Sequence, residues 1–240
     1  MKNADEFCIT TDQQIMDLAV NYSAMLYSLI APHLHGDVLE IGSGIGNFTK
    51  KIIDLDQVRS VTCSEISYDC LAEFKRTVLP MENGSKVRLY EGDFNESDLS
   101  EQFDFIFSFN VLEHIQEDRK TISLINRYLK PGARLVLYLP AMNCIYGSLD
   151  RELQHYRRYN KSMMRVLFDG FPLQVERIKY FNSIGALGWF YTNRILKRRS
   201  QSPEMVQFYD RYVFPTMNTV EKLLPTFFGA NLLIVVKRKE

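Results

Sequence analysis

The sequence predicts an α/β sandwich built as one domain of 240 residues. Three observations carry that prediction. Seven short apolar runs of strand length alternate with segments of helical period, the pattern of a mostly parallel sheet covered by helices. The first run, Val38-Leu39-Glu40-Ile41, leads into glycines at 42, 44 and 46, and Phe48 to Leu55 then suits a helix, so this stretch reads as strand, tight turn, helix start. The last run, Asn231 to Val236, has no helix of its own after it.

Composition narrows the class. Lys+Arg and Asp+Glu both number 29, so the net charge is zero, which argues against general nucleic-acid binding. The cysteines Cys8, Cys63, Cys70 and Cys144 form no CxxC pair. They read as reduced thiols of a cytoplasmic protein, and no metal site is expected. Met1 to Glu6 is polar and no run reaches about 18 apolar residues, so neither a signal peptide nor a membrane-spanning helix is expected.

The elements follow in order. Thr11 with Gln14 three residues on reads as a capping box, and apolar residues from Ile15 to Ile30 keep a helical period that stops before Pro32, giving an N-terminal helix over 11–31. In the glycine turn, positive φ is available and no Cβ stands between the backbone and a ligand. A dinucleotide fingerprint needs G-x-G-x-x-G, but Asn47 occupies the place of its third glycine. Glu40 adds an acid that suits a cation such as the ammonium of an amino-acid moiety.

Val58 to Glu65 is a second strand, and Glu65 at its end can accept hydrogen bonds from ribose hydroxyls. Ser67 caps a helix that turns Leu71, Phe74 and Val78 to one side and ends at Pro80. Val87 to Tyr90 alternates as a third strand, followed by Glu91-Gly92-Asp93-Phe94. Phe103 to Phe109, almost continuously apolar, is a fourth strand buried on both faces. After Asn110-Val111-Leu112-Glu113-His114 comes a helix over 118–129, a break at Lys130-Pro131-Gly132, and a fifth strand over 133–139. Asp150 to Tyr159 is a polar, basic and aromatic loop; a helix over 161–168 and a sixth strand over 173–181 follow. Residues 183–228 interrupt the sheet before the last strand. They hold Trp189, a basic run Lys197-Arg198-Arg199, and a helix start at Ser202-Pro203-Glu204.

The E-x-G-x-G-x-G stretch resembles motif I of the class I S-adenosylmethionine (SAM)-dependent methyltransferases. The F-D-x-I-x-x-x-x-V-L-E-H block from Phe103 and the L-K-P-G-x-x-L-V-L stretch from Leu129 resemble the ubiquinone/menaquinone-type members of that family. The resemblance runs from Val38 to Pro140. It implies a Rossmann-like seven-stranded sandwich of order 3-2-1-4-5-7-6 with the last strand antiparallel, and SAM as cofactor. It places SAM against Glu40, Gly42, Ser43, Gly44, Gly46, Glu65, Ile66, Asp93, Phe94 and Asn110, with Asp93 and Phe94 at the adenine, and with the 11–31 helix as a lid that brings Tyr22 near.

Beyond Pro140 the resemblance thins, and the acceptor side is expected there. His155 is the first candidate for a proton acceptor and His114 the second. Tyr22, Tyr156, Arg157, Arg158, Tyr159 and Trp189 are the candidate acceptor contacts, the arginines suited to an anionic group. The expected reaction is methyl transfer to a small, sugar- or lipid-linked molecule, most simply at oxygen. Two alternatives stay open: an NAD-dependent oxidoreductase, and a SAM-binding partner subunit without activity. The insertion is expected to pack over the cleft, with peripheral membrane contact through 187–199 as its other reading.

Overall fold

A computed structural model of the chain describes residues 18–198, 202–223 and 226–240. Seven strands form one sheet: β1 (Gly36–Ile41), β2 (Val58–Glu65), β3 (Val87–Glu91), β4 (Phe103–Phe109), β5 (Leu129–Pro140), β6 (Leu173–Phe181) and β7 (Asn231–Arg238), in the order β3-β2-β1-β4-β5-β7-β6. β1 pairs in parallel with both β2 and β4, whereas β7 is antiparallel to β5 and β6. The expected order and the reversed last strand are both present. The chain leaves β1 toward β2 on one side and returns to β4 on the other, which opens a crevice at the strands' C-terminal ends.

The pleat decides which residues reach that crevice. Leu39 and Ile41 belong to the core layer with Ile122, Ile125 and Phe168. Val38 belongs to the other layer, with Leu26, Ile30, Phe74 and Phe214. Successive strand residues point to opposite faces, so Glu40 shares Val38's face. Phe105, Phe107 and Tyr138 line the same layer.

Several boundaries differ from the sequence reading. The described N-terminal helix is Val20–Ile30, and Leu18 and Ala19 before it are not helical; the Thr11 capping box lies outside the described residues. The helix after the glycine turn shortens to Thr49–Ile52. β5 begins at Leu129, because the residues expected to break the chain extend the strand instead: Phe103 still pairs with Leu129, and the irregularity falls between Phe103 and Phe105 with Gly132 at φ +78°. The stretch read as a loop from Asp150 opens inside a short helix, Ser148–Glu152.

The insertion is helical. Ser183–Phe190 continues into a π-helical stretch, Tyr191–Ile195, and Pro203–Phe208 runs through a second, Tyr209–Val213, into Phe214–Leu223. Two buried carboxylates fasten it. Ala19 has no side chain able to cap the helix Val20–Ile30; Asp210 supplies the missing acceptor, taking the N–H groups of Asn21 at 2.9 Å and Tyr22 at 2.8 Å. Glu221 takes the N–H groups of Asn182 at 2.9 Å and Ser183 at 2.7 Å, at the start of the next helix. Among the described residues no helix is long and apolar enough to cross a membrane.

Candidate active site

A cavity of about 510 Å³ opens at the C-terminal ends of β1 and β4. Its walls come from the glycine turn (Gly42, Ser43, Gly44), from Glu40, from Tyr22 on the N-terminal helix, and from Asn110 after β4. Its far side is formed by Glu113, His114, His155 and Arg158, and its roof by the insertion through Trp189, Asn193 and Tyr209. The insertion thus packs over the cleft. Arg199 of its basic run lies outside the described residues.

The turn is held by a carboxylate. Glu65 Oε2 accepts the Gly44 N–H at 2.7 Å, and Oε1 accepts those of Ile66 at 2.9 Å and Ser67 at 2.8 Å. Gly44 has φ +55°. The three glycines differ in purpose. A Cβ on Gly42 would stand 2.2 Å from Val111 Cγ2, and one on Gly46 2.4 Å from Val78 Cγ2, so both permit close packing. Gly46 does not line the cavity; the helix Tyr68–Thr77 and Val78 after it occupy its open side.

Glu40 is buried with one hydroxyl donor, Thr49 Oγ1 at 2.5 Å, and among the described residues it pairs with no cation. Burial, with a further push from the Glu65 charge, raises its pKa from 4.5 to about 8 against that hydrogen bond. Ser43 Oγ is buried and has no hydrogen-bond partner among the described residues. A buried carboxyl and an unused hydroxyl on a glycine turn fit a cationic amino-acid moiety and do not fit a pyrophosphate. Tyr22 packs edge-on to Tyr138 and Phe214, and burial raises its pKa to about 12.

The far wall is a polar cluster organised by Asp150, which is completely buried. Asp150 Oδ1 takes His155 Nδ1 at 3.0 Å and Arg158 Nε at 2.7 Å, and Oδ2 takes the Gly147 N–H at 2.8 Å. Burial works against the charge of Asp150, but these donors hold its pKa below the usual value. The imidazole of His155 is therefore fixed through Nδ1, which leaves Nε2 free. His114 meets it edge to face with ring centres 4.6 Å apart. His114 keeps an exposed edge, and desolvation of the rest of its ring, then the neighbouring His155, lower its pKa to about 3. Glu113 is buried, and its pKa rises to about 7 chiefly through that burial, with His155 and Arg158 opposing.

Other candidates lie elsewhere. Ile66 is exposed and Asp93 is exposed, its carboxylate turned to the Asn95 N–H at 2.8 Å; neither lines the cavity. The Phe94 ring is buried against Tyr128, because the 3-10 turn Phe94–Glu96 directs it into the core. Tyr156 is on the surface, and Arg157 pairs with Asp118 at 2.6 Å. Tyr159 is core, its hydroxyl 3.1 Å from the Leu112 carbonyl and 3.1 Å from Asp118. Arg158 lines the cavity, but its guanidinium is occupied by Asp150 and the Ala141 carbonyl and lies 4.6 Å over Trp189. Arg158 is therefore not open to an anionic acceptor, whereas Arg198, which also lines the cavity, pairs with no carboxylate among the described residues.

Four functional positions escaped the sequence reading: Glu113, Asp150, Asp210 and Glu221. Glu113 stood inside the quoted L-E-H block, four residues after Phe109, the last residue of β4. The other three are acids in polar stretches, and only the fold shows that they are buried.

Comparison with known proteins agrees with this geometry. Residues 22–201 match a family model described as a methyltransferase domain. A malonyl-[acyl-carrier protein] O-methyltransferase from Ilyobacter polytropus is 25% identical over 155 residues, which cover 60% of this chain and 58% of that protein. The N-methyltransferase NodS from Bradyrhizobium japonicum, solved with S-adenosylhomocysteine (SAH), superposes with a TM-score of 0.56 at 15% identity, covering 100% of this chain and 90% of that one. The YcgJ protein of a Bacillus species gives 0.61 at 16% identity, covering 90% and 98%. With the sheet order, the cavity at the glycine turn and the family match in agreement, this chain belongs to the SAM-dependent methyltransferases of the class I fold.

Proposed function

We propose that the chain transfers the SAM methyl group to an oxygen of a small, sugar- or lipid-linked acceptor held beside His155. The observation that carries the reading is one continuous cavity with Glu40 and the glycine turn on one wall and the Asp150-held His155 on the other. When bound, SAM supplies a methyl on a sulfonium, and its thioether leaves without needing an acid. Catalysis can then rest on positioning.

Each residue has a part in this account. Glu40 binds the ammonium end, and Ser43 Oγ bonds the same moiety. Glu65 fixes the Gly44 N–H and so the shape of the turn. Asn110 sits between the two walls at φ +52°. Tyr22 and Trp189 exclude water from the two sides. The acceptor hydroxyl gives its proton to His155 Nε2 as its oxygen bonds the methyl carbon and the C–S bond breaks, the electron pair going to sulfur. Asp150 keeps the imidazole in the tautomer that can take the proton.

The oxygen acceptor is supported by this dyad and by the name of the Ilyobacter relative. Outside the roof, Leu187, Tyr191 and Ile195 are exposed beside Arg194 and Lys197, which supports a lipid-linked acceptor reached at a surface. The thiols of Cys63 and Cys144 support a cytoplasmic enzyme.

Methyl-labelled SAM supplied with panels of hydroxyl, carboxyl and amine acceptors tests the reading. Label is expected in an ether or ester, and His155→Ala is expected to slow transfer about 10²–10⁴-fold with SAH affinity unchanged. Label found only on nitrogen, or transfer at the wild-type rate in His155→Ala, would overturn it.

A further inference from the structure

We propose that Glu113, His114 and His155 form a binding site for one divalent transition-metal cation on the far wall of the cavity. One ligand atom from each, a carboxylate oxygen and two imidazole nitrogens, all lie within 4.8 Å of one another. Ligands around a common ion stand about 3–3.5 Å apart, so a small rotation of either ring closes the set.

The arrangement is built rather than incidental. Glu113 and His114 are neighbours on the 3-10 turn Leu112–His114. The Tyr156 N–H donates to the Glu113 carbonyl at 2.8 Å, which ties the segment carrying His155 to that turn. His155 Nδ1 is held by Asp150, the carboxylate–histidine pairing that orients an imidazole toward a metal through its other nitrogen.

A second, independent observation points to a ligand. Glu113 is completely buried, and among the described residues neither of its carboxylate oxygens has a hydrogen-bond partner. A buried carboxylate without a donor is costly, and a bound cation removes that cost. Arg158, whose charge acts on Glu113, is already paired with Asp150, so Glu113 shares that guanidinium with a second carboxylate.

The donor set selects the ion. Two imidazoles and one carboxylate suit Zn²⁺, Mn²⁺, Co²⁺ or Fe²⁺, and disfavour Mg²⁺ and Ca²⁺, which take oxygen ligands. Three protein ligands leave positions open to the cavity. The binding claim stands on these residues alone; its use rests on the oxygen-acceptor reading. A hydroxyl coordinated there loses its proton to water more readily, and its oxygen then attacks the methyl carbon. His155 Nε2 can serve only one of the two roles at a time: it takes the acceptor's proton in the metal-free chain, and with a metal bound it would be a ligand while that proton would pass to water.

The test uses the untagged full chain, stripped with a chelator and dialysed, and titrated calorimetrically with Zn²⁺. Co²⁺ is then added to follow its ligand-field absorption. One Zn²⁺ per chain is expected, together with Co²⁺ bands typical of mixed nitrogen and oxygen ligands. Glu113→Gln and His155→Ala are each expected to weaken Zn²⁺ binding at least tenfold, and Asp150→Asn about 10–100-fold. SAH affinity serves as the check that each variant is folded. No saturable Zn²⁺ binding by the wild type, or equal binding by Glu113→Gln and His155→Ala, would overturn the proposal. The two readings fail separately. Full methylation after stripping, with no metal bound, removes the metal and leaves methyl transfer in place. Stoichiometric metal binding that Glu113→Gln abolishes keeps the site even if every oxygen acceptor proves inert.

Discussion

Glu40 makes the binding of cofactor a proton-linked event. Its pKa of about 8 in the free chain means that about nine tenths of molecules carry the proton at pH 7. An ammonium group set against it favours the ionised form, so binding at pH 7 must release close to one proton. Ionising Glu40 at that pH costs about 1.4 kcal/mol, one pH unit's worth. Affinity for SAH should therefore rise about tenfold from pH 6 to pH 7 and several-fold more to pH 8. At higher pH it falls again, as the ligand's own amino group loses its charge. Calorimetry from pH 6 to pH 9, in two buffers of different ionisation enthalpy, measures both affinity and protons released. Glu40→Gln should flatten the acidic limb and lower affinity at pH 8 by about 1.5–3 kcal/mol, the worth of a charged hydrogen bond. The same group sets a stability slope of defined sign. Its folded pKa lies above the unfolded value of 4.5, so the folded chain keeps a proton that the unfolded chain gives up. That stabilisation is complete below pH 4.5 and disappears as pH rises toward 8, on the order of 4 kcal/mol between pH 5 and pH 8. SAH affinity in the wild type that stays flat from pH 6 to pH 8, with no proton released, would refute the reasoning.

Three further outcomes follow from the geometry. Glu65→Ala leaves the Gly44, Ile66 and Ser67 N–H groups without their acceptor, and should weaken SAH binding by about 1–3 kcal/mol while altering turnover at saturating SAM much less; unchanged affinity in calorimetry would contradict this. Gly44→Val forces a β-branched residue to φ +55° inside the cavity wall and should abolish SAH binding, whereas Gly46→Ala meets Val78 and should chiefly lower the urea midpoint, by the equivalent of about 1–3 kcal/mol. Equal effects of the two substitutions on binding would show that their roles are not separate. Asp210→Asn removes a charged acceptor from two N–H groups of the N-terminal helix, and should cost about 1–2 kcal/mol by chemical denaturation and raise the KM for SAM through Tyr22; an unchanged denaturation midpoint would show that the cap is not needed.

Phe103–Phe109 was legible because a strand buried on both faces leaves a nearly continuous apolar run, whereas Val58–Glu65 was bounded with only Val58, Val61 and Cys63 apolar. The glycine turn was legible because its spacing is restrictive. What local pattern cannot supply is the direction in which a polar side chain faces. Arg158 and Tyr159 sit in a stretch dense in charge, yet one is stacked on Trp189 over a buried carboxylate and the other is core. Those burials depend on β5, the turn after β4 and the insertion, which meet from far apart in sequence. Asp150 shows the same dependence, since its partners Gly147, His155, Arg158 and Trp189 come from three elements. Phe94 misled for a different reason: the residue type suits a base, but a 3-10 turn rotates it inward to Tyr128. At Lys130-Pro131-Gly132 the turn chemistry was read correctly as the end of a helix, but the neighbouring strand still pairs through Leu129.

The most direct test of the central claim is a crystal structure of the chain with SAH. The account predicts the ligand's ammonium within hydrogen-bond distance of Glu40, its backbone atoms against Gly42 to Gly44, and its sulfur turned into the cavity toward Asn110 and the His114–His155 wall. SAH bound with its amino-acid end away from Glu40, or with its sulfur facing away from that wall, would contradict it.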